Sequence, residues 1–210
     1  MIYPELLTRY PLISDQVSVA ELRVILRELE KAVTGGVEGD VVEFGCYSGT
    51  TSLFIRRLLD AYDDHRAFHA YDSFAGLPPK TLEDKNAAGL DFKAGELAVS
   101  KKQFLRNFER AKLQPPITHK AWFNELTNQD VPAEIGFAFL DGDFYESIQT
   151  SLELVWSRLT KDAVVLVHDY NRETLPGVAQ SVTDFLQHYH LHPQLQVEAN
   201  IGILRPAKVK

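Results

Sequence analysis

Residues 136–143 read Gly-Phe-Ala-Phe-Leu-Asp-Gly-Asp, an apolar run that ends abruptly in two carboxylates. A second apolar run, Ala163-Val-Val-Leu-Val167, ends in the same way, in His168-Asp169. Short apolar runs of this kind are typical of buried strands. In open α/β sheets, ligands gather beyond the carboxyl ends of the strands. The two runs therefore predict a binding site at the sheet edge where both strands end.

Helical and strand-like segments alternate along the rest of the chain. Apolar spacing predicts helices over 18–31, 50–61, 99–113, 145–159 and 176–189, and strands over 40–44, 67–71, 115–119, 135–140 and 163–167. Residues 195–199 and 201–204 predict a closing antiparallel hairpin. The order indicates an α/β fold with a doubly wound, mostly parallel sheet and a C-terminal antiparallel hairpin.

The length of 210 residues fits one domain over 1–210. Residues 1–36 are predicted to form an N-terminal helical segment, whose amphipathic helix could support a homodimer. Residues 74–96 contain Gly, Pro, Lys and Asp without periodicity, and we expect them to form a mobile lid loop.

Charge and composition exclude several classes of protein. The net charge of −7 argues against a nucleic-acid partner, which needs a basic face. Cys46 is the only cysteine, so no internal disulfide can form. The N-terminus has no signal-peptide pattern, and the longest apolar runs are too short to cross a membrane. A cytoplasmic location without membrane association is expected.

A glycine loop, Glu43-Phe-Gly-Cys-Tyr-Ser-Gly49, stands between a predicted strand and a predicted helix. Such a turn lets the backbone approach a ligand closely, although it can also be a turn alone. It lacks the third glycine of the dinucleotide fingerprint. Glu43 would suit an ammonium or sulfonium group better than a pyrophosphate. Asp72 ends the next strand, where it could accept hydrogen bonds from a ribose diol.

Asp141 and Asp143 are separated only by Gly142. Crowded carboxylates resist ionisation unless a metal or another cation neutralises them. Neither acidic motif contains Lys or Arg, so the pattern predicts a metal-assisted site. Asp-Gly is also a common turn pair, and a simple turn is the alternative.

Several motifs together resemble the macrocin (TylF/MycF-type) O-methyltransferases, which use S-adenosylmethionine to methylate sugar hydroxyls of antibiotic and related glycosides. They occur in the family's order over roughly residues 39–186. The matching pieces are Gly39–Gly49, Asp72–Pro78, the helix from Val99-Ser100 to Asn107-Phe108, Ala121-Trp-Phe123, Leu140–Glu146, His168-Asp-Tyr170 and Leu175–Val178.

The resemblance implies a class I, Rossmann-like methyltransferase fold and gives most of the site residues a role. It places S-adenosylmethionine at the first two loops and a divalent cation, usually Mg²⁺, at Asp141 and Asp169, with Mn²⁺ as the alternative. Asp143 would be the general base. The implied cofactor-binding residues are Glu43, Gly45, Cys46, Tyr47, Ser48, Gly49, Asp72, Ser73 and Phe74.

His168 departs from the family pattern, which often has two acids at 168–169. Imidazole suits Mn²⁺, iron or Zn²⁺ at least as well as Mg²⁺. His168 could ligate the metal, form a hydrogen bond to a residue that ligates it, or contact the acceptor. We include it in the predicted metal set.

The sequence thus predicts a metal-assisted O-methyltransferase acting on a small-molecule hydroxyl acceptor, expected to be a sugar. One alternative is an NAD(P)-dependent oxidoreductase, which would need a third loop glycine and a Tyr-Lys pair that we do not find. The other is a non-catalytic module that binds S-adenosylmethionine. The His168 departure keeps that alternative open.

Overall fold

A computed structural model of the chain describes residues 1–85 and 92–206. The helices are α1 (Tyr3–Arg9), α2 (Val19–Thr34), α3 (Thr50–Ala61), α4 (Lys101–Ala111), α5 (Tyr145–Trp156) and α6 (Pro176–His188), with a 3₁₀ turn at Phe123–Glu125. The strands are β1 (Asp40–Phe44), β2 (Phe68–Asp72), β3 (Ile117–Lys120), β4 (Ile135–Leu140), β5 (Leu159–Val167), β6 (Gln194–Glu198) and β7 (Ile201–Arg205).

The seven strands form one sheet in the order β3-β2-β1-β4-β5-β7-β6. The first five strands are parallel, and β7 runs antiparallel between β5 and β6. The first strand, β1, lies in the middle of the sheet, and the later strands extend the sheet in both directions. This confirms the predicted doubly wound sheet and its closing hairpin.

Both faces of the sheet are covered, which explains the unbroken apolar run in β4. Phe137 and Phe139 pack on the α2 and α3 side, in one hydrophobic cluster. Ala138 and Leu140 point to the opposite face and pack with residues of α5 and α6. Successive strand residues alternate between faces, so every residue of β4 is buried.

The N-terminal segment packs on the sheet rather than standing free. Ser18 begins α2 with a capping box in which its side chain accepts from the Glu21 backbone N–H. Leu22, Ile25 and Leu29 of this helix are fully buried in the cluster beside β4 and β5. The apolar face of α2 is therefore used within the chain, and the predicted homodimer would need another surface.

The predicted lid at 74–96 is only partly described, because residues 86–91 lie outside the described residues. Its described parts contain no helix or strand. Leu77 joins the two ends: its N–H donates to Glu96 O at 2.8 Å, and its carbonyl accepts from Gly95 N at 2.9 Å. Mobility of this loop stays a prediction. In the described residues, no helix is long and apolar enough to cross a membrane.

Candidate active site

The strand ends of β1, β2, β4 and β5 open into a cavity of about 380 Å³, a size typical of small-molecule sites. Aromatic and apolar walls come from Leu77, Phe92, Trp122 and Phe123. The predicted site residues that line it are Gly45, Tyr47, Asp72, Ser73, Asp141, Asp143, His168 and Asp169. Residues from four separate loops therefore meet in one cavity, as the strand-end argument predicted.

Each of these four loops contains a non-glycine residue in the left-handed backbone region. They are Tyr47 after β1, Phe74 after β2, Asp143 after β4 and Asp169 after β5, with φ of 45°, 53°, 62° and 53°. Such residues are strained and tend to cluster at functional sites. Asp tolerates this conformation better than most residues. Three of the four, Tyr47, Asp143 and Asp169, line the cavity where the parallel strands end.

A glycine is required at position 45 because the backbone at the end of β1 lies very close to the backbone of Asp141. Its N–H donates to Tyr71 O at 2.8 Å, and Asp141 N–H donates to Phe44 O at 2.8 Å. A Cβ atom added to Gly45 would lie 1.9 Å from Asp141 O. The glycine therefore joins the predicted cofactor loop to the predicted metal and base loop.

Asp72 fixes the glycine loop through three backbone hydrogen bonds. Its Oδ2 accepts from the N–H groups of Cys46 and Tyr47, both at 2.9 Å, and its Oδ1 accepts from Phe74 N–H at 2.7 Å. A carboxylate has about four lone-pair sites, so this leaves capacity for a ligand. Asp72 also lines the cavity, which is compatible with the predicted contact to a ribose diol.

Glu43 is positioned differently from the expectation of a direct counter-ion. Only 1 % of it is exposed, and its carboxyl group accepts a hydrogen bond from the Ser52 hydroxyl on α3. Burial raises the pKa of Glu43 to about 8, so the group is mostly protonated at neutral pH. Glu43 does not line the cavity. A protonated carboxyl group also could not balance the positive charge of a sulfonium.

Four other predicted cofactor residues lie around the loop without lining the cavity: Cys46, Ser48, Gly49 and Phe74. Cys46 and Phe74 are buried in a small apolar cluster with Phe104 and Phe108. Burial raises the pKa of the Cys46 thiol well above its usual value. These residues shape the loop, and any contact they make with a cofactor stays a prediction.

The predicted metal residues converge around the His168 ring. His168 Nδ1 lies 2.7 Å from Asp141 Oδ1 and 3.8 Å from Asp169 Oδ2. Arg172 Nη1 lies 3.2 Å from both Asp169 oxygens. The sequence motifs contained no cation beyond the imidazole, and Arg172 is a cationic partner that we did not anticipate, three residues beyond Asp169.

The electrostatics show how tightly the acids are crowded. Burial, followed by repulsion from Asp141 and Asp169, raises the pKa of Asp143 well above its usual range. Burial and the nearby Asp141 also raise the pKa of Asp169. Burial opposes the charge on His168, but Asp141, Glu21 and Asp169 together raise its pKa well above its usual value. The site favours additional positive charge.

Glu21 is the second contact that sequence reasoning missed. Its Oε1 lies 3.6 Å from His168 Nε2, and its Oε2 accepts from Ser18 N–H at 2.6 Å. Burial raises the pKa of Glu21, but the His168 ring and the Ser18 donors outweigh it and lower the pKa to about 2. The Ser18-x-x-Glu21 pattern identifies a helix start, yet nothing local connects that start to the end of β5.

The donor set fits a divalent cation. Glu21, His168 and Asp169 each offer one ligand atom, all within 4.8 Å of one another, and Asp141 lies against the same imidazole ring. His168 Nε2 is buried without a hydrogen-bond partner among the described residues. Oxygen donors with one imidazole suit Mn²⁺, Fe²⁺ or Zn²⁺ as well as Mg²⁺.

The chain is similar to known proteins over most of its length. The family model described as Macrocin-O-methyltransferase (TylF) matches residues 15–203. A Streptomyces olivaceus protein, the 8-demethyl-8-(2,3-dimethoxy-alpha-L-rhamnosyl)-tetracenomycin-C 4'-O-methyltransferase, is 33% identical over 203 residues, covering 90% of this chain and 76% of that protein.

Two further similarities agree with the match to the macrocin O-methyltransferase family. The mycinamicin III 3''-O-methyltransferase of Micromonospora griseorubida is 26% identical over 197 residues, covering 89% of this chain and 76% of that protein. The solved structure of the O-methyltransferase NovP superposes with a TM-score of 0.78 at 21% identity, covering 91% of this chain and 81% of that one. This second similarity confirms the predicted Rossmann-like methyltransferase fold.

Proposed function

Since the chain belongs to the macrocin O-methyltransferase (TylF) family, we propose that it transfers a methyl group from S-adenosylmethionine to a sugar hydroxyl of a glycosylated small molecule. The membership confirms the predicted O-methyltransferase class and favours it over the oxidoreductase alternative. The single observation that supports the finer proposal is one cavity lined by both Asp72 and Asp143. It provides a place for a nucleoside next to a candidate base.

The acceptor class is inferred from the relatives and from the cavity. The name of the Streptomyces relative describes methylation of a rhamnosyl group. In this chain, Trp122 and Phe123 line the cavity together with Asp143 and Glu146. Aromatic faces beside polar side chains provide apolar contact and hydrogen bonds to a sugar ring. We therefore propose a sugar hydroxyl as the methyl acceptor.

The chain positions the reactants and removes one proton. S-adenosylmethionine supplies an electrophilic methyl group on a sulfonium sulfur. Asp72 would hold the ribose diol. Asp143 would accept the proton of the acceptor hydroxyl as the hydroxyl oxygen bonds to the methyl carbon, the sulfur–methyl bond breaks, and S-adenosylhomocysteine leaves. Burial and the neighbouring acids raise the pKa of Asp143, so it must lose its proton before it acts as a base, and a nearby cation would favour that loss. Positioning alone can lower the barrier by several kcal/mol.

We propose that Asp141, His168 and Asp169 hold a divalent cation beside the base, with Mg²⁺ or Mn²⁺ as candidates. A bound divalent cation lowers the pKa of a coordinated hydroxyl. Binding would require His168 and Arg172 to give up their present contacts with Asp141 and Asp169. Arg172 can do so readily, because 43% of its side chain is exposed.

The proposed activity can be tested by incubating the protein with S-adenosylmethionine, MgCl₂ and a panel of glycosides that have free sugar hydroxyls. Mass spectrometry should detect monomethylated product, and EDTA should reduce the rate at least tenfold. The matching aglycones are the control and should stay unmodified. Heat from NADPH binding, with none from S-adenosylmethionine, would refute the assignment. Methylation that persists unchanged in EDTA would remove the metal from the proposal.

Asp72→Ala should weaken binding of S-adenosylhomocysteine about 10–100-fold. Each hydrogen bond to a charged group contributes about 1.5–3 kcal/mol, and this substitution removes the anchor of the glycine loop as well as the ribose contact. Isothermal titration calorimetry measures the affinity. Asp60→Ala, the same change at a side chain on α3 that is 46% exposed and does not line the cavity, is the control and should change affinity less than threefold. Equal affinities for wild type and Asp72→Ala would contradict the assigned position of the cofactor.

A further inference from the structure

We propose that Glu21, from the N-terminal helix α2, is the outer carboxylate that orients His168 as a ligand in the divalent-cation site. The inference rests on the proposed metal site and adds to it a residue far away in sequence. It makes Glu21 a positioning residue, which acts through the imidazole and not on the acceptor.

The two ring nitrogens of His168 face different partners. Nδ1 faces the cavity acids, with Asp141 Oδ1 at 2.7 Å and Asp169 Oδ2 at 3.8 Å. Nε2 faces the interior, where Glu21 Oε1 is 3.6 Å away. Only 3% of His168 is exposed, so the ring has little room to turn. The nitrogen that points toward the proposed cation is therefore Nδ1.

Nε2 is the atom that requires an explanation. It is buried and has no hydrogen-bond partner among the described residues, whereas nearly all buried polar groups are paired. A separation of 3.6 Å is slightly beyond a hydrogen bond. A shift of about 0.5 Å would bring Glu21 into bonding range of the Nε2–H group.

Ligand chemistry explains why a carboxylate belongs at this place. An imidazole that ligates a metal through one nitrogen almost always donates its other N–H to a carboxylate, carbonyl or water. That contact fixes the tautomer and makes the ligating nitrogen more basic. In this chain, Glu21 would fix the Nε2–H tautomer and leave the Nδ1 lone pair free for the ion.

Glu21 is itself held in place from two directions. Ser18 N–H donates to its Oε2 at 2.6 Å as part of the capping box, and Asn200 Nδ2 donates to its Oε1 at 3.3 Å. Asn200 lies between β6 and β7, so Glu21 links the start of α2, the closing hairpin and the end of β5. A carboxylate fixed in this way can hold the imidazole at a defined angle.

The same geometry explains why the requirement is tied to His168. An acidic side chain at position 168 would have no second nitrogen to orient. A carboxylate at 168 would face Glu21 as a like charge. Glu21 therefore matters to the cation site through the histidine, and its effect should depend on which residue occupies position 168.

The test is a titration of the full-length protein with MnCl₂, followed by electron paramagnetic resonance of the free aqua ion. Glu21→Gln should weaken Mn²⁺ binding about 10–100-fold, the usual effect of losing an outer-shell partner. Glutamine still supports a capping box, so α2 should stay folded, which circular dichroism checks. Ser18→Ala is the control: it removes the cap side chain but not the carboxylate, and it should change Mn²⁺ affinity less than threefold.

A second background separates orientation from simple structural support. In His168→Asp, adding Glu21→Gln should leave Mn²⁺ affinity unchanged or improve it, because the substitution then removes only repulsion. Equal losses in both backgrounds would overturn the proposal, as would an unchanged affinity of Glu21→Gln in the His168 protein. Complete loss of binding in Glu21→Gln would make Glu21 a direct ligand and also overturn it. If the wild type binds no Mn²⁺, the metal part of the proposed function fails first.

Discussion

Replacing Asp143 with Asn should lower the rate of methyl transfer by about 10²–10⁴-fold, the usual contribution of a general base. The amide cannot accept the proton of the acceptor hydroxyl, so the nucleophile stays neutral as the methyl group arrives. Asn tolerates the left-handed backbone of this position, φ 62°, about as well as Asp does. Binding of S-adenosylhomocysteine should change less than threefold, because Asp72, and not Asp143, is assigned to the nucleoside.

The appropriate control is Asp63→Asn. Asp63 also has a left-handed backbone, φ 52°, but its side chain is 91% exposed and does not line the cavity. It should therefore show the cost of an Asp-to-Asn change at such a site without any loss of rate. Initial rates under saturating cofactor, with calorimetric affinities for both variants, separate the two effects. A turnover of Asp143→Asn within threefold of wild type would remove Asp143 as the base.

The fold was predictable from the sequence wherever burial imposes a clear period. The strand at 135–140 and the helix at 50–61 appear with the predicted bounds, because uninterrupted apolar runs and amphipathic spacing determine them. The start of β5 was placed four residues late, since Thr160, Lys161 and Asp162 are polar and the last two are exposed. A strand that extends beyond the sheet core leaves no apolar signal there.

The site was predictable only where it follows from strand ends. Asp72, Asp141 and Asp169 were expected at one edge because parallel strands end together, and they line one cavity. Contacts between distant segments were not predictable. Arg172 reaches Asp169 from a turn, Glu21 reaches His168 from the first long helix, and the buried carboxyl group of Glu43 accepts a hydrogen bond from Ser52. None of these depends on local spacing.

The second large effect is expected at Gly45, where Gly45→Ala should lower the free energy of unfolding by about 2–5 kcal/mol. A left-handed alanine costs roughly 1–2 kcal/mol, and φ here is 87°. An added Cβ would also lie 1.9 Å from the carbonyl oxygen of Asp141, and inserting atoms into packed structure costs roughly 1–3 kcal/mol more. Because that carbonyl is backbone, it cannot yield without moving the β4 loop. Cofactor binding should fail along with stability.

Gly36→Ala separates the two contributions. Gly36 is also left-handed, φ 66°, but an added Cβ would meet no atom within 4 Å. Its variant should lose only the conformational part, about 1–2 kcal/mol, and should bind S-adenosylhomocysteine normally. Urea unfolding followed by circular dichroism gives both stabilities, and the difference between the two variants measures the clash with Asp141. If both variants lose the same stability and Gly45→Ala still binds cofactor, the close contact between the glycine loop and the β4 loop at Asp141 does not exist in solution. The loops would then be independent, and the shared edge of β1 and β4 could not position donor and base together.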